Sequence, residues 1–375
     1  MKTANIIIAS ALVAASTAAS AQCALSQFAD APWSLSPITT SLKNPKPTVS
    51  ELLRAFNSSW KLDIIADGLK NNKLTVDHSR ESFLHTYGAG DVPATMQAKL
   101  WRARNGHTIM AINQITHAGA DIYTLAFLDY NPQDGTINPV RSPIRSFKPA
   151  FESMKVSVDL PVKEGDDIIL EEIACNSTVG FAHSYSFDGK KLDYASTDLV
   201  IDQQLLKQAP DYKENYSQDN APARYALLDI DHDNVPELWL SSKSGDNQEL
   251  FSLNTPSLIS YTYYKTHFNF HPSAVSYAGG CGTMCYITEY TPLVNSIPRE
   301  NLQVITSGDM EGNETREYFH GFSSQGEAAM KELPKAQGEK MEEAINNSDR
   351  APVNPENVKW NQIRKVQIRT DMSID

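Results

Sequence analysis

From about residue 48 to residue 194 the chain alternates short apolar runs with turn-forming residues, a pattern of strands rather than long helices. Met96–Ala103 and His107–Ile115 flank Asn105-Gly106, a pair whose tolerance of positive φ suits a tight hairpin. Tyr123–Tyr130, rich in aromatic and β-branched residues, predicts a third strand. Met154–Leu160, Asp167–Ala174 and Gly180–Phe187 predict three more, and Asp188-Gly189 turns the chain into Lys190–Tyr194. One short helix precedes them: Thr48 and Glu51 stand at capping-box spacing, and Leu52, Leu53 and Phe56 share one face.

The pattern changes after residue 195. Leu199, Ile201, Leu205 and Leu206 are spaced to cover one side of a helix over Asp198–Gln208, and the polar stretch Lys213–Pro222 reads as a loop. Strands follow near Leu250, over Ile259–Tyr264, Tyr286–Tyr290 and Leu302–Thr306. Ser324–Asn347 is charged and helix-prone but interrupted by Pro334 and Gly338. No repeat of fixed period is present, which argues against a propeller. The expected fold is mainly β (α+β), two antiparallel-sheet domains with a few short helices. The expected segments are a signal peptide over 1–21, an extended stretch over 22–47, a β domain over 48–195, a helix and linker over 196–222, and a second β-rich domain over 223–375.

The signal assignment rests on Lys2, the apolar run Ile6–Ala15 and the small residues Ala19 and Ala21. Gln22, not a small residue, precedes Cys23, which argues against lipid attachment there. No stretch is long and apolar enough to span a bilayer. The expectation is an exported monomer, periplasmic, secreted or at the cell surface, with an extracellular or envelope ligand. A net charge of −12 argues against nucleic acid as a partner. Four cysteines in an exported chain point to disulfides, with Cys281–Cys285 and Cys23–Cys175 the expected pairing of three possible ones.

One segment specifies a chemistry. Within Tyr225–Leu240 an apolar run leads into Asp229, Asp231 and Asp233, then Glu237, and an apolar run leads out. Carboxylates at every second position repel unless the backbone curls them around a hard cation, and an all-oxygen set suits calcium. Val235 would add its carbonyl, and Glu237 occupies the ninth position counted from Asp229. The loop resembles the first part of an EF-hand loop, and more closely the strand–loop–strand calcium loops of FG-GAP-type repeats and related secreted bacterial proteins. It departs from the EF-hand at Asn234, where glycine is usual, and at Leu240, where a bidentate glutamate is usual. Pro236 predicts a strand rather than a helix after the loop.

Other chemistry is less specific. His267, His271, Cys281 and Cys285 are the ligand types of a structural zinc site, with the disulfide as the competing use of the thiols. A Cys281 nucleophile served by His267 or His271 lacks a marked orienting residue. Glu171-Glu172 and Asp166-Asp167 are adjacent pairs whose side chains diverge on a strand, which suits solvated edges better than paired catalysis. Asp129–Gly135 reads as an Asp-Gly turn, with a second cation loop as the alternative. Trp101, Tyr261, Tyr263, Tyr264 and Phe268 read as sheet core, with a sugar-stacking platform as the alternative. Serine-hydrolase and phosphate-loop motifs are missing, and Gly88–Asp91 lacks the strand-then-helix setting they need.

Taken together, Leu100–Gly106, Tyr225–Leu240, Tyr263–Thr266 and Ala278–Cys285 resemble segments of exported Gram-negative, Bacteroidetes-like proteins of unknown function. That resemblance implies export, two mainly β parts and a calcium loop, and it implies no activity. The functional expectation is a non-catalytic binding or accessory module with a structural calcium loop. The alternative is a secreted hydrolase acting on extracellular glycan or peptide.

Overall fold

The computed structural model describes residues 27–30, 36–71, 82–87, 93–118, 120–144, 147–151, 154–161, 167–208, 221–262, 267–322, 329–347, 351–370 and 372. The expected signal peptide, Cys23, Gly88–Asp91, Asp166, Tyr263, Tyr264 and most of the 213–222 loop lie outside them. Over the described residues the fold is mainly β, with several antiparallel sheets and four short helices. Two compact units make up the chain. The first runs to Ile173 and resumes over Phe181–Thr197, and the second takes Ala174–Gly180 and the residues from Asp198 onward.

In the first unit, strands β1 (Gln27–Asp30) and β2 (Ile38–Thr39) precede helices α1 (Val49–Trp60) and α2 (Asp63–Asn71). Then come β3 (Ser82–Tyr87), β4 (Ala94–Arg102), β5 (Thr108–Ala118), β6 (Ala120–Asn131) and β7 (Thr136–Val140). They form one sheet in the order β2-β7-β6-β5-β4-β3, with β1 parallel to β6. Helix α1 begins at the capping box: Glu51 N–H donates to Thr48 Oγ1 at 3.3 Å, and Thr48 N–H donates to Glu51 Oε2 at 2.7 Å. The hairpin between β4 and β5 turns through Gly106 at φ 85°, as Asn105-Gly106 predicts.

Alternation along these strands gives the sheet two buried faces. Met96, Ala98, Leu100, Met110, Ile112 and Leu128 pack with Leu52, Leu53, Phe56 and Ile65 of the helices. The intervening Trp101, Ala111, Tyr123 and Phe127 pack instead on Val156, Val158, Leu160, Ile168, Leu170 and Tyr185. Those residues belong to or border β8 (Met154–Asp159), β9 (Ile168–Ala174), β10 (Val179–Phe187) and β11 (Leu192–Asp202), neighbours in the order β11-β10-β9-β8. Buried Asn113 stitches the layers, donating to Gln97 Oε1 at 3.0 Å and to the Val158 carbonyl at 3.1 Å.

The helix expected over Asp198–Gln208 is a correction. Asp198–Asp202 continue β11, and only Gln203–Leu206 (α3) are helical, capped by Asp202. Spacing that covers one side of a helix is outvoted by sheet pairing across the chain: Leu199–Asp202 run parallel to Val366–Arg369.

The second unit contains β12 (Pro222–Leu228), β13 (Glu237–Ser242), β14 (Gln248–Phe251) and β15 (Leu258–Thr262). Next come β16 (Asn269–His271), β17 (Ala274–Gly282), β18 (Cys285–Val294) and β19 (Ile297–Pro298). It ends with β20 (Asn301–Gly308), β21 (Glu314–Gly321), β22 (Lys331–Leu333), helix α4 (Lys335–Asn346), β23 (Asn361–Gln362) and β24 (Val366–Arg369). One sheet has the order β15-β14-β13-β12-β23, and another has β16-β17-β18-β20-β21-β22 with β19 beside β18. Leu228, Ile230, Trp239 and Leu250 of the first pack on Phe268, Phe270, Val275 and Leu293 of the second. Helix α4 lies over the second sheet through Ile345 and Met341 against Tyr290, Val304 and Tyr318.

Pro334 does not break helix α4 but stands at its N-cap. Gly338 does not break it either: a Cβ there would lie 2.1 Å from Tyr318 Cγ, so glycine lets the helix lie flat on that ring. Cys281 and Cys285 close the end of the β17–β18 hairpin in a disulfide with a Cα–Cα distance of 5.1 Å. Cys175 is disulfide-bonded as well.

Candidate metal site in the loop between β12 and β13

The loop Asp229–Pro236 joins two buried, paired strands, with Leu228 opposite Glu237 at its neck. Because β12 and β13 are fixed at both ends, the intervening residues must curl. His232 and Asn234 take up the curl at φ 60° and 70°. Asp229 organises the turn by accepting from Asp233 N–H at 3.0 Å and from Asn234 N–H at 3.2 Å. Asp233 in turn accepts from Val235 N–H at 2.7 Å.

The result brings Asp229, Asp231 and Asp233 together, one carboxylate oxygen of each lying within 4.8 Å of the others. Among the described residues, this is the group of His, Cys, Asp and Glu side chains able to hold a metal ion. The donors are hard oxygens, which favour a hard divalent cation without selecting one. Burial first, then the charges of Asp231 and Asp229, raise the Asp233 carboxyl above its ordinary value.

Glu237 is outside that triad and fully buried. Its Oε2 accepts from Ile230 N–H at 2.9 Å, whereas no described group hydrogen-bonds Oε1. Burial pushes its carboxyl up to about 8, helped by the charges of Asp231 and Asp233 and opposed by Ile230 and Ser296. A buried carboxylate in this position needs a proton or a cation to offset the loss of water.

Ser296 is the residue that sequence reasoning missed. It lies in the turn between β18 and β19, fully buried, with its N–H donating to Asp231 Oδ2 at 2.8 Å. Its Oγ is 3.1 Å from Asp233 Oδ2 and 3.0 Å from the Val235 carbonyl. A serine some sixty positions downstream, in a turn of its own, carries no local signal of this contact.

The other sequence candidates are dispersed. Cys281 and Cys285 have joined, which removes both thiolates from a zinc set and from nucleophilic chemistry. His267 Nδ1 is 2.9 Å from Gln248 Nε2, and His271 Nε2 is 2.8 Å from Ser276 Oγ. Asp134 accepts from Thr136 N–H at 2.9 Å in a turn through Gly135 at φ 76°, while Asp129 faces His107 at 3.0 Å. Trp101 and Phe268 are buried in the two cores.

Glu172 is not a solvated edge. It is buried, its Oε1 lies 2.9 Å from His183 Nε2, and its Oε2 accepts from Ala150 N–H at 2.8 Å. His183 Nδ1 is 2.9 Å from Thr197 Oγ1, which is also 2.9 Å from the Tyr194 hydroxyl. Adjacent acidic residues do point to opposite faces, and Glu172 is the one whose face is the interior.

No family model and no curated protein matches this chain. One solved structure that it is similar to is described as a Xanthomonas type IV secretion system related protein. The likeness covers 67% of this chain and 93% of that one at 11% identity, with a TM-score of 0.16. A similarity at that level carries no argument about fold or function. Among the described residues no helix is long and apolar enough to cross a membrane.

Proposed function

We propose that this is an exported protein of the cell envelope or its surroundings, working as a non-catalytic binding or accessory module whose second unit holds a structural calcium ion. Asp229, Asp231 and Asp233 supply the carboxylates, with the Val235 carbonyl and Glu237 completing the set. The observation that carries the reading is the convergence of three aspartate oxygens within 4.8 Å beside the fully buried Glu237. The likeness of the loop to EF-hand and FG-GAP-type calcium loops and the signal-like N-terminus support it further. Calcium neutralises carboxylates that otherwise repel, so its role is to hold the β12–β13 connection closed.

Thermal unfolding in chelator and in millimolar calcium, beside Asp231→Ala, tests this. A ligand at about 100 times its dissociation constant stabilises a fold by roughly 2.7 kcal/mol. The expected result is a calcium-dependent rise in Tm that the variant loses; an unchanged Tm in the parent removes the reading.

One observation favours a hydrolase as a second reading. With the proton on Nε2, His183 donates to Glu172 and accepts from Thr197, the order of acid, base and nucleophile in hydroxyl hydrolases. Thr197 is buried, and Tyr194 covers its hydroxyl, so the contacts equally make a satisfied polar core. Turnover of a glycan or peptide ester that disappears in both Thr197→Val and His183→Gln replaces the non-catalytic reading.

A further inference from the structure

We infer that Ser296 is a positioning residue for the cation loop, and that cation binding locks the β18–β19 turn against that loop. The inference rests on the calcium reading above and adds a partner segment to it. The turn pairs Leu293 with Pro298 and Val294 with Ile297, leaving Asn295 and Ser296 as its central residues. Both have positive φ, 54° and 57°. Asparagine tolerates that region, whereas serine enters it at a cost that glycine avoids. What serine contributes there is its hydroxyl.

The cost is offset by what Ser296 touches. Its N–H and hydroxyl reach Asp231, Asp233 and the Val235 carbonyl, three of the groups assigned to the cation. A donor on one oxygen of a ligand carboxylate fixes the rotamer and leaves the other oxygen for the metal. Glu237, buried with an oxygen that no described group hydrogen-bonds, marks the same place as one that calls for a cation. From the other side, Asn254 Nδ2 donates to the Asn295 carbonyl at 2.9 Å, so the turn is held between the cation loop and the segment after β14. The loop and the turn belong to different sheets of the second unit. Without a cation, mutual repulsion loosens the carboxylates that Ser296 contacts. With one bound, those acceptors are fixed. Coupling between the two is reciprocal: the factor by which Ser296 tightens the cation is the factor by which the cation tightens the turn.

The test uses the full chain, with calcium titration by calorimetry and hydrogen exchange of residues 290–300 in chelator and in calcium. Ser296→Gly keeps the turn geometry and the N–H but removes the hydroxyl. The expected result is about tenfold weaker calcium binding in that variant. Asn295→Gly, which keeps the carbonyl and the serine, is expected to bind as the parent does. In the parent, exchange across the turn is expected to slow in calcium. Equal affinity in Ser296→Gly, or equal exchange of the parent turn in both conditions, overturns the inference while leaving the calcium site standing. A parent that binds no calcium removes both. Should Ser296→Gly fail to fold, the exchange comparison on the parent decides alone.

Discussion

Glu237 and Asp198 show how differently one chain treats two buried carboxylates. Glu237 keeps an oxygen that no described group hydrogen-bonds, and burial above all raises its carboxyl to about 8. Its charged form therefore works against the fold whenever no cation is bound. Glu237→Gln is expected to raise stability in chelator at pH 9, on the order of 1 kcal/mol, and to shrink the calcium-induced rise in Tm. Denaturant melts with and without chelator check both arms. Asp198 is the reverse case. Burial pushes its carboxyl up, but paired bonds from Arg364 at 2.8 and 2.7 Å, a bond from Gln367 and the charge of Lys365 outweigh it and hold the carboxyl below its ordinary value. A depressed carboxyl stabilises the fold above the unfolded value near 3.8 and loses that contribution as pH falls through the folded value. Asp198→Asn is expected to cost about 2 kcal/mol at pH 7 and to flatten the stability–pH curve below pH 4. Melts across pH 3 to 7 test it.

Elements with a local cause are the ones the sequence announces. Thr48 and Glu51 predict the start of α1 because the capping contacts span three residues, and Asn105-Gly106 predicts its hairpin because the turn is closed within residues 103–107, with Gly106 alone at positive φ. The aspartates of the candidate site are legible for the same reason: their convergence is a property of one loop. Elements decided by distant partners are not legible in this way. Leu199 and Ile201 fit a helix by spacing, yet pairing with Val366–Arg369 makes them strand, and Ser296 reaches the Asp229–Pro236 loop only through the packing of two sheets. Gly338 lies between these cases. Its glycine reads as a break, but the reason for it is the Tyr318 ring beneath. Gly338→Ala raises helix propensity by about 1 kcal/mol while forcing a Cβ into that ring, and overpacking of this kind costs about 1–3 kcal/mol. The expected outcome is a net loss of stability, with Tyr318→Ala as the background on which Gly338→Ala turns stabilising. A double-mutant cycle by chemical denaturation measures both.

At the scale of the molecule, the C-terminal segment is a structural part of the second unit. Trp360 lies 4.6 Å from Trp239 and 4.4 Å under the Arg224 guanidinium, and β23 and β24 extend two sheets. Removing residues 358–375 is expected to lower Tm by more than about 5 °C and to broaden the transition followed by circular dichroism.

The strand β24 also has a consequence for the order in which the protein assembles. Its anchor, Arg364 to Asp198, joins residues 166 positions apart, and its partner Leu199–Asp202 leaves the ribosome long before it. During synthesis those four residues are a β-edge with no neighbour on that side, open to pairing with another nascent chain. Closing so long a span is a late step on contact-order grounds, and pulse-labelled hydrogen exchange during refolding is expected to protect Val366–Arg369 after the strands β9–β11 of the same sheet.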